Sequence, residues 1–258
     1  EVITVRAGCL AEDAAVVSYA VDLRIECESP DCPLPPLLVN NSILKIIGAR
    51  FMLAEDLTVG PAHRPLRDSL RGGAAIYAED SEITLDDVRI LELPYPYAGL
   101  LGVDSDFFVT GGSFSDMGGP GITAFVHNAD ISIEVEGTVF DAVGTAGIET
   151  DNSQASGGRS VALLRVVDVT FTHQSTNGGD IVGVADVFEH EGTTHDDSHA
   201  DSGGIVQVLA DSTTVTNANF LGTLAEGGSG TLWVAGGTRL RISGGLFKVY
   251  QPNGLAES

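Results

Sequence analysis

Lysine is nearly missing from this chain: Lys45 and Lys248 are the only two, and 13 basic residues face 36 acidic ones for a formal net charge of −23. Such a surface repels phosphate backbones and anionic bilayers, which excludes nucleic acid as an expected partner. Long apolar runs are missing too, and none approaches the roughly 20 residues that a membrane-spanning helix needs. The opening "EVITVRAGCL" has no basic segment leading into an apolar one, so any secretion signal is expected to have been removed, or the chain to be part of a longer one. Cysteine is confined to Cys9, Cys27 and Cys32. Three thiols with no nearby histidine make a poor metal site, so a disulfide between two of the three is expected, which suits an oxidising compartment.

What is abundant is repetition. "SILKIIGARF" (residues 42–51) and "TRLRISGGLF" (residues 238–247) share one pattern, an alternating apolar pair followed by an aromatic anchor. With Phe247 as the anchor the pair is Leu240 and Ile242. The same spacing gives Thr213 and Val215 before Phe220, Leu164 and Val166 before Phe171, and Ile133 and Val135 before Phe140. It also gives Phe107 and Val109 before Phe114, Ile83 and Leu85 before Ile90, and Leu44 and Ile46 before Phe51. Successive anchors lie 39, 24, 26, 31, 49 and 27 residues apart, so the common coil has about 24 to 27 residues and the 49-residue gap has room for two. A glycine-led apolar element recurs upstream of each pair, as in "GGAAI" at 72–76 and "AGI" at 146–148.

A strand of three to five residues cannot bury its apolar face alone, but identical units stacked in parallel bring like side chains over like. The expectation is an all-β chain: a right-handed parallel β-helix of about 8–9 coils. Residues 1–40 are expected to hold the cap and first coil, with a short helix or capping turn in "AEDAAVVSYA" (residues 11–20) closing the open end. Residues 41–258 are expected to form the solenoid, with insertions near 55–72 and 186–202. "GGAAIYAEDSEITLDDVRI" (residues 72–90) and its relatives resemble the repeats of the pectin-lyase-like superfamily. They look most like those of polymorphic outer-membrane and autotransporter-type surface proteins, although the Phe-x-x-Asn ending common there is absent.

The resemblance implies two kinds of chemistry to look for. Hydrolases of that superfamily use neighbouring aspartates with a Gly-His-Gly element, and Asp86 and Asp87 form such a pair without the element. Its lyases use calcium-binding carboxylates with a basic residue, and "HRPLRDSLR" places Arg64 and Arg67 near Pro65 in the presumed 55–72 insertion. From the residues alone, "EHEGTTHDDSHAD" (residues 189–201) gathers His190, His195, His199, Asp196, Asp197 and Asp201, a donor set suited to a divalent transition metal. Its plainer reading is a solvated acidic excursion between coils. Finally, Asp80, Asp104 and Asp130 each stand ten residues before an anchor, and three stacked carboxylates would call for a cation such as calcium, unless Asp serves there only as a turn residue.

The functional expectation is a non-enzymatic extracellular or cell-surface β-solenoid, acting as a structural, adhesive or filament component with no cofactor beyond a calcium or other divalent cation. Its partners would be surface or matrix proteins or polysaccharide, with end-to-end self-assembly or embedding in a longer chain. The alternative is a polysaccharide lyase or glycoside hydrolase acting along a groove, by analogy of fold.

Overall fold

A computed structural model describes residues 2–5, 15–18, 22–27, 32–34, 36–52, 73–176, 179–200, 204–225, 231–237 and 239–249. The chain winds as a right-handed parallel β-helix, and every strand pairing among these residues is parallel. Three sheets run the length of the solenoid. In the second sheet Leu44, Ile83, Phe107, Ile133, Leu164, Phe188, Thr213 and Leu240 are successive partners, two residues before a matching column from Ile46 to Ile242. In the third sheet Phe51, Ile90, Phe114, Phe140 and Phe171 are in register. Leu34 precedes them in the same column, an anchor without an aromatic ring. The first sheet stacks Leu37, Ile76, Leu100, Ile122, Ile148, Ile181 and Val206. Apart from the exposed Leu240 and Ile242, these columns meet in one core.

The corners explain the spacing. Three residues before each anchor the backbone turns left-handed, at Gly48, Asp87, Gly111, Gly137, Asp168, Gly192, Asn217 and Gly244. Only glycine, or Asp and Asn with their short polar side chains, enter that region at small cost. A second such corner lies two residues after the anchor, at Glu92, Asp116, Ala142, His173, Asp197 and Gly222. The corner between the first and second sheets is built from Asn41-Ser42, Asp80-Ser81 and Asp104-Ser105. Each serine hydroxyl donates to the carbonyl two residues back, and those of Ser81 and Ser105 accept the N–H of the serine one coil earlier. The turn's buried polar groups are thereby satisfied.

Two expectations change. Residues 15–18 are a strand paired with Leu37–Asn40 instead of part of the expected helix, and the described residues contain no helix. The adjacent β-branched Val16 and Val17 suit another strand in the stack. Residues 186–200 are no insertion: Gly179–Glu191 is one continuous strand shared by the first and second sheets, followed by Thr194–Asp196 and His199–Ala200. The expected insertion near 55–72 lies outside the described residues.

Candidate functional site

The coil that runs from Gly179 to Ala200 turns polar side chains into the core where its neighbours turn apolar ones. His195 pairs in register with Phe171 on one side and Phe220 on the other. Its ring lies in the aromatic column, 4.9 Å from Phe171 and 4.6 Å from Phe220 between centroids, with both pairs within 4° of parallel. The column continues through Phe171–Phe140 at 5.0 Å and Phe140–Phe114 at 4.9 Å. His190 occupies the second-sheet position held by Val166 above and Val215 below.

Asp180 completes the arrangement. The first-sheet register places it after Gly99, Gly121 and Gly147. At each of those glycines a Cβ would meet the ring of its own coil's anchor: 2.7 Å from Phe114 Cδ1, 2.6 Å from Phe140 Cε1 and 2.5 Å from Phe171 Cε1. In these three coils glycine makes room for the phenyl ring, whereas Ile205 holds the same register position in the coil anchored by Phe220. Imidazole is shorter than phenyl, and where the anchor is His195 the glycine becomes Asp180. Asp–His thus stands in register with the Gly–Phe pairs of the three coils before it.

The carboxylate of Asp180 accepts from His195 Nδ1 at 2.6 Å and from Ser198 Oγ at 2.8 Å through the same oxygen, Oδ2. The Nε2 atoms of His195 and His190 are 3.1 Å apart, and Thr193 Oγ1 lies 2.7 Å from His190 Nε2. Asp180 and His195 are 0% exposed. Burial, and then the charge on His195 beside it, hold His190 well below the ordinary histidine value. His190 is thus the neutral member, and one of the two facing Nε2 atoms donates to the other. The set has the residue types of a nucleophile–base–orienter relay, with Thr193 and Ser198 as hydroxyls, but all five side chains are sealed in the core. What it does there is fix register: a coil slipped by one turn would set Asp180 against a phenylalanine and leave a buried charge unpaired.

The sequence candidates divide between the inside and outside of the coil. His195 points inward and the adjacent Asp196 outward, while Asp197 forms the left-handed corner. His199 is half-buried between the inward Ser198 and Ala200, and Asp201 lies outside the described residues. Alternation along a strand keeps these donors apart, and among the described residues no three His, Cys, Asp or Glu side chains gather to hold a metal. Asp86 faces out in register with Ile47 and Thr110, whereas Asp87 is a left-handed corner. Arg64 and Arg67 lie outside the described residues. Cys27 is disulfide-bonded; Cys9 and the side chain of Cys32 lie outside the described residues.

The three-aspartate ladder is a pair. Asp80 and Asp104 follow the partners Glu79 and Val103 at equivalent corners, but the next turn, residues 126–130, is longer and displaces Asp130. Asp104 accepts the backbone N–H groups of His127, Asn128 and Ala129, which do the work assigned to a cation. Asp130 binds Arg159 and the Ser160 N–H instead, and those contacts, the Ser160 N–H first, lower its pKa. Partial burial and then the Asp104 and Glu79 charges raise that of Asp80.

Sequence reading missed Asp180, Thr193 and Ser198 and took the histidines for a loop. The signal was present: "HEGTTH" carries Gly192 three residues before His195, as Gly137 precedes Phe140, and "GGDI" aligns with "PGI" and "AGI". No protein-family model, curated protein or solved structure matches this chain.

Proposed function

We propose that this chain is a non-enzymatic β-solenoid of the pectin-lyase-like kind, serving outside the cell as a structural, adhesive or filament component. The observation that supports this reading is where the chain places its chemically capable residues. The Asp180–His195–His190 set is built into the core, Asp87 and Asp197 make corners, and Asp104 caps a turn. Each is engaged in holding the spiral rather than facing a substrate. The disulfide at Cys27 suits an oxidising compartment, and the charge of −23 suits a soluble surface exposed to salt. Such a rod would meet surface or matrix proteins or neutral and basic polysaccharide.

The test is incubation with a panel of uronic-acid and neutral polysaccharides, with and without calcium, following unsaturated products and new reducing ends. The expected result is no turnover on any of them. Calcium-dependent turnover that disappears in Asp86→Asn would overturn the proposal in favour of a polysaccharide lyase or hydrolase.

A further inference from the structure

The corners Asn41-Ser42, Asp80-Ser81 and Asp104-Ser105 share a left-handed first residue, at φ of 47°, 50° and 50°, and a buried serine. The fold accounts for both. Asn or Asp enters that region at small cost, and the serine hydroxyl satisfies the backbone of the turn. The residue before them is another matter. In register that position holds Asn40, Glu79, Val103 and Phe125, which have neither size nor polarity in common. The corner therefore does not demand Asn40, yet Asn40 completes the sequence Asn40-Asn41-Ser42. It is the only Asn-x-Ser or Asn-x-Thr in the chain, the acceptor pattern for an N-linked glycan.

The placement suits a covalent attachment. Along Leu37–Asn40 the side chains alternate between core and surface, with Leu37 and Val39 buried and Leu38 and Asn40 turned outward. Asn41 is exposed, and Ile43 on the far side of the corner is 47% exposed, so the surface beside Asn40 is open to water. A group bonded to Asn40 Nδ2 leaves the rod without crossing the core. Ser42 differs: it is 4% exposed, and its hydroxyl donates to the Asn40 carbonyl at 2.8 Å. A transferase that reads the amide and the hydroxyl two residues on reaches that hydroxyl only before the corner closes.

We propose that Asn40 is an N-glycosylation site, modified on the unfolded chain as it enters the secretory route. This rests on the reading of the protein as one that works outside the cell, and it adds a covalent modification to the side of the rod. The donor is an oligosaccharide linked to a lipid through pyrophosphate. Asn40 Nδ2 bonds to the anomeric carbon of the first sugar, and the bond from that carbon to the phosphate oxygen breaks. The lipid pyrophosphate leaves with the electron pair, and the amide gives up one proton. A bulky, hydrated group on this flank keeps another surface from packing against it.

The test is secretion of the full chain from a eukaryotic host that glycosylates Asn-x-Ser, followed by mass spectrometry of the reduced tryptic peptide 25–45, which contains the whole sequence Asn40-Asn41-Ser42. The expected peptide carries N-acetylhexosamine and hexose, and release by an amidase leaves Asp in place of Asn40. Asn40→Gln should lose the glycan and melt with the deglycosylated parent. Asn41→Asp, which copies the other two corners, should keep it. Unmodified folded protein offered transferase and donor should stay unmodified, while peptide 36–46 in the same mixture is glycosylated. An unmodified Asn40 in the secreted protein, or a glycan that survives Asn40→Gln, would overturn the proposal. Folded protein modified as fully as the peptide would overturn its timing. The polysaccharide assay on the same preparation separates the two readings: an unmodified Asn40 in an inert protein sinks the glycan alone, and turnover sinks the functional reading alone.

Discussion

At Ala142 the backbone holds φ of 53°, and ten other non-glycine residues among those described share that left-handed region. Eight of the eleven are Asn or Asp, whose side chains offset part of the cost with local hydrogen bonds. Alanine has no such group, so Ala142→Gly relieves strain without removing a contact that the corner needs. The expected gain is about 1 kcal/mol by denaturant unfolding; no gain would mean that the corner tolerates a Cβ freely. His190 carries a second prediction. Its folded pKa lies below the unfolded value, so the unfolded chain takes up a proton that the folded chain refuses as pH falls. Its share of stability is whole above about pH 6.5 and declines below it by up to about 1.4 kcal/mol per pH unit. Thermal melts between about pH 7.5 and about pH 5 should show this decline. His190→Val, which restores the residue of the coils above and below, should flatten it; an unchanged slope would place the titrating group elsewhere.

At the scale of the coil, the first-sheet glycines and the aromatic anchors are one device. A Cβ on Gly121 would sit 2.6 Å from the Gly147 carbonyl and from the Phe140 ring. Gly121→Ala is therefore expected to destabilise by about 1–3 kcal/mol through overpacking. An unchanged midpoint in denaturant unfolding would contradict the pairing of glycine with ring. The alternating pairs, from Leu44 and Ile46 to Leu240 and Ile242, were readable in advance because a period of two and a constant distance to the anchor depend only on chain geometry. The ladder position of His195 was not read. Imidazole packs as a ring but is written as a polar residue, and three histidines among aspartates look like a solvated loop when judged by composition. The identity of Asp180 depended on a partner 15 residues away, which no local pattern reports. The aspartate corners failed for the opposite reason: equal spacing from an anchor suggested a ladder, and the longer turn before Asp130 broke it.

Across the whole molecule, one register runs from Leu34 to Phe247 through the third sheet, and the polar coil interrupts its chemistry without interrupting its geometry. The central claim is that Asp180 and His195 together stand where the three coils before them place glycine and phenylalanine. His195→Phe alone leaves the Asp180 carboxylate buried without its partner, a loss of about 3–5 kcal/mol. Asp180→Gly alone removes the acceptor for both His195 and Ser198. The double change recreates the pair seen at Gly147 and Phe171. The decisive measurement is the double-mutant cycle by equilibrium unfolding. The account predicts that the double variant is about as stable as the parent or more so, with a coupling of at least about 2 kcal/mol between the sites. Losses that simply add, leaving the double variant worse than either single one, would mean that these residues do not share one rung.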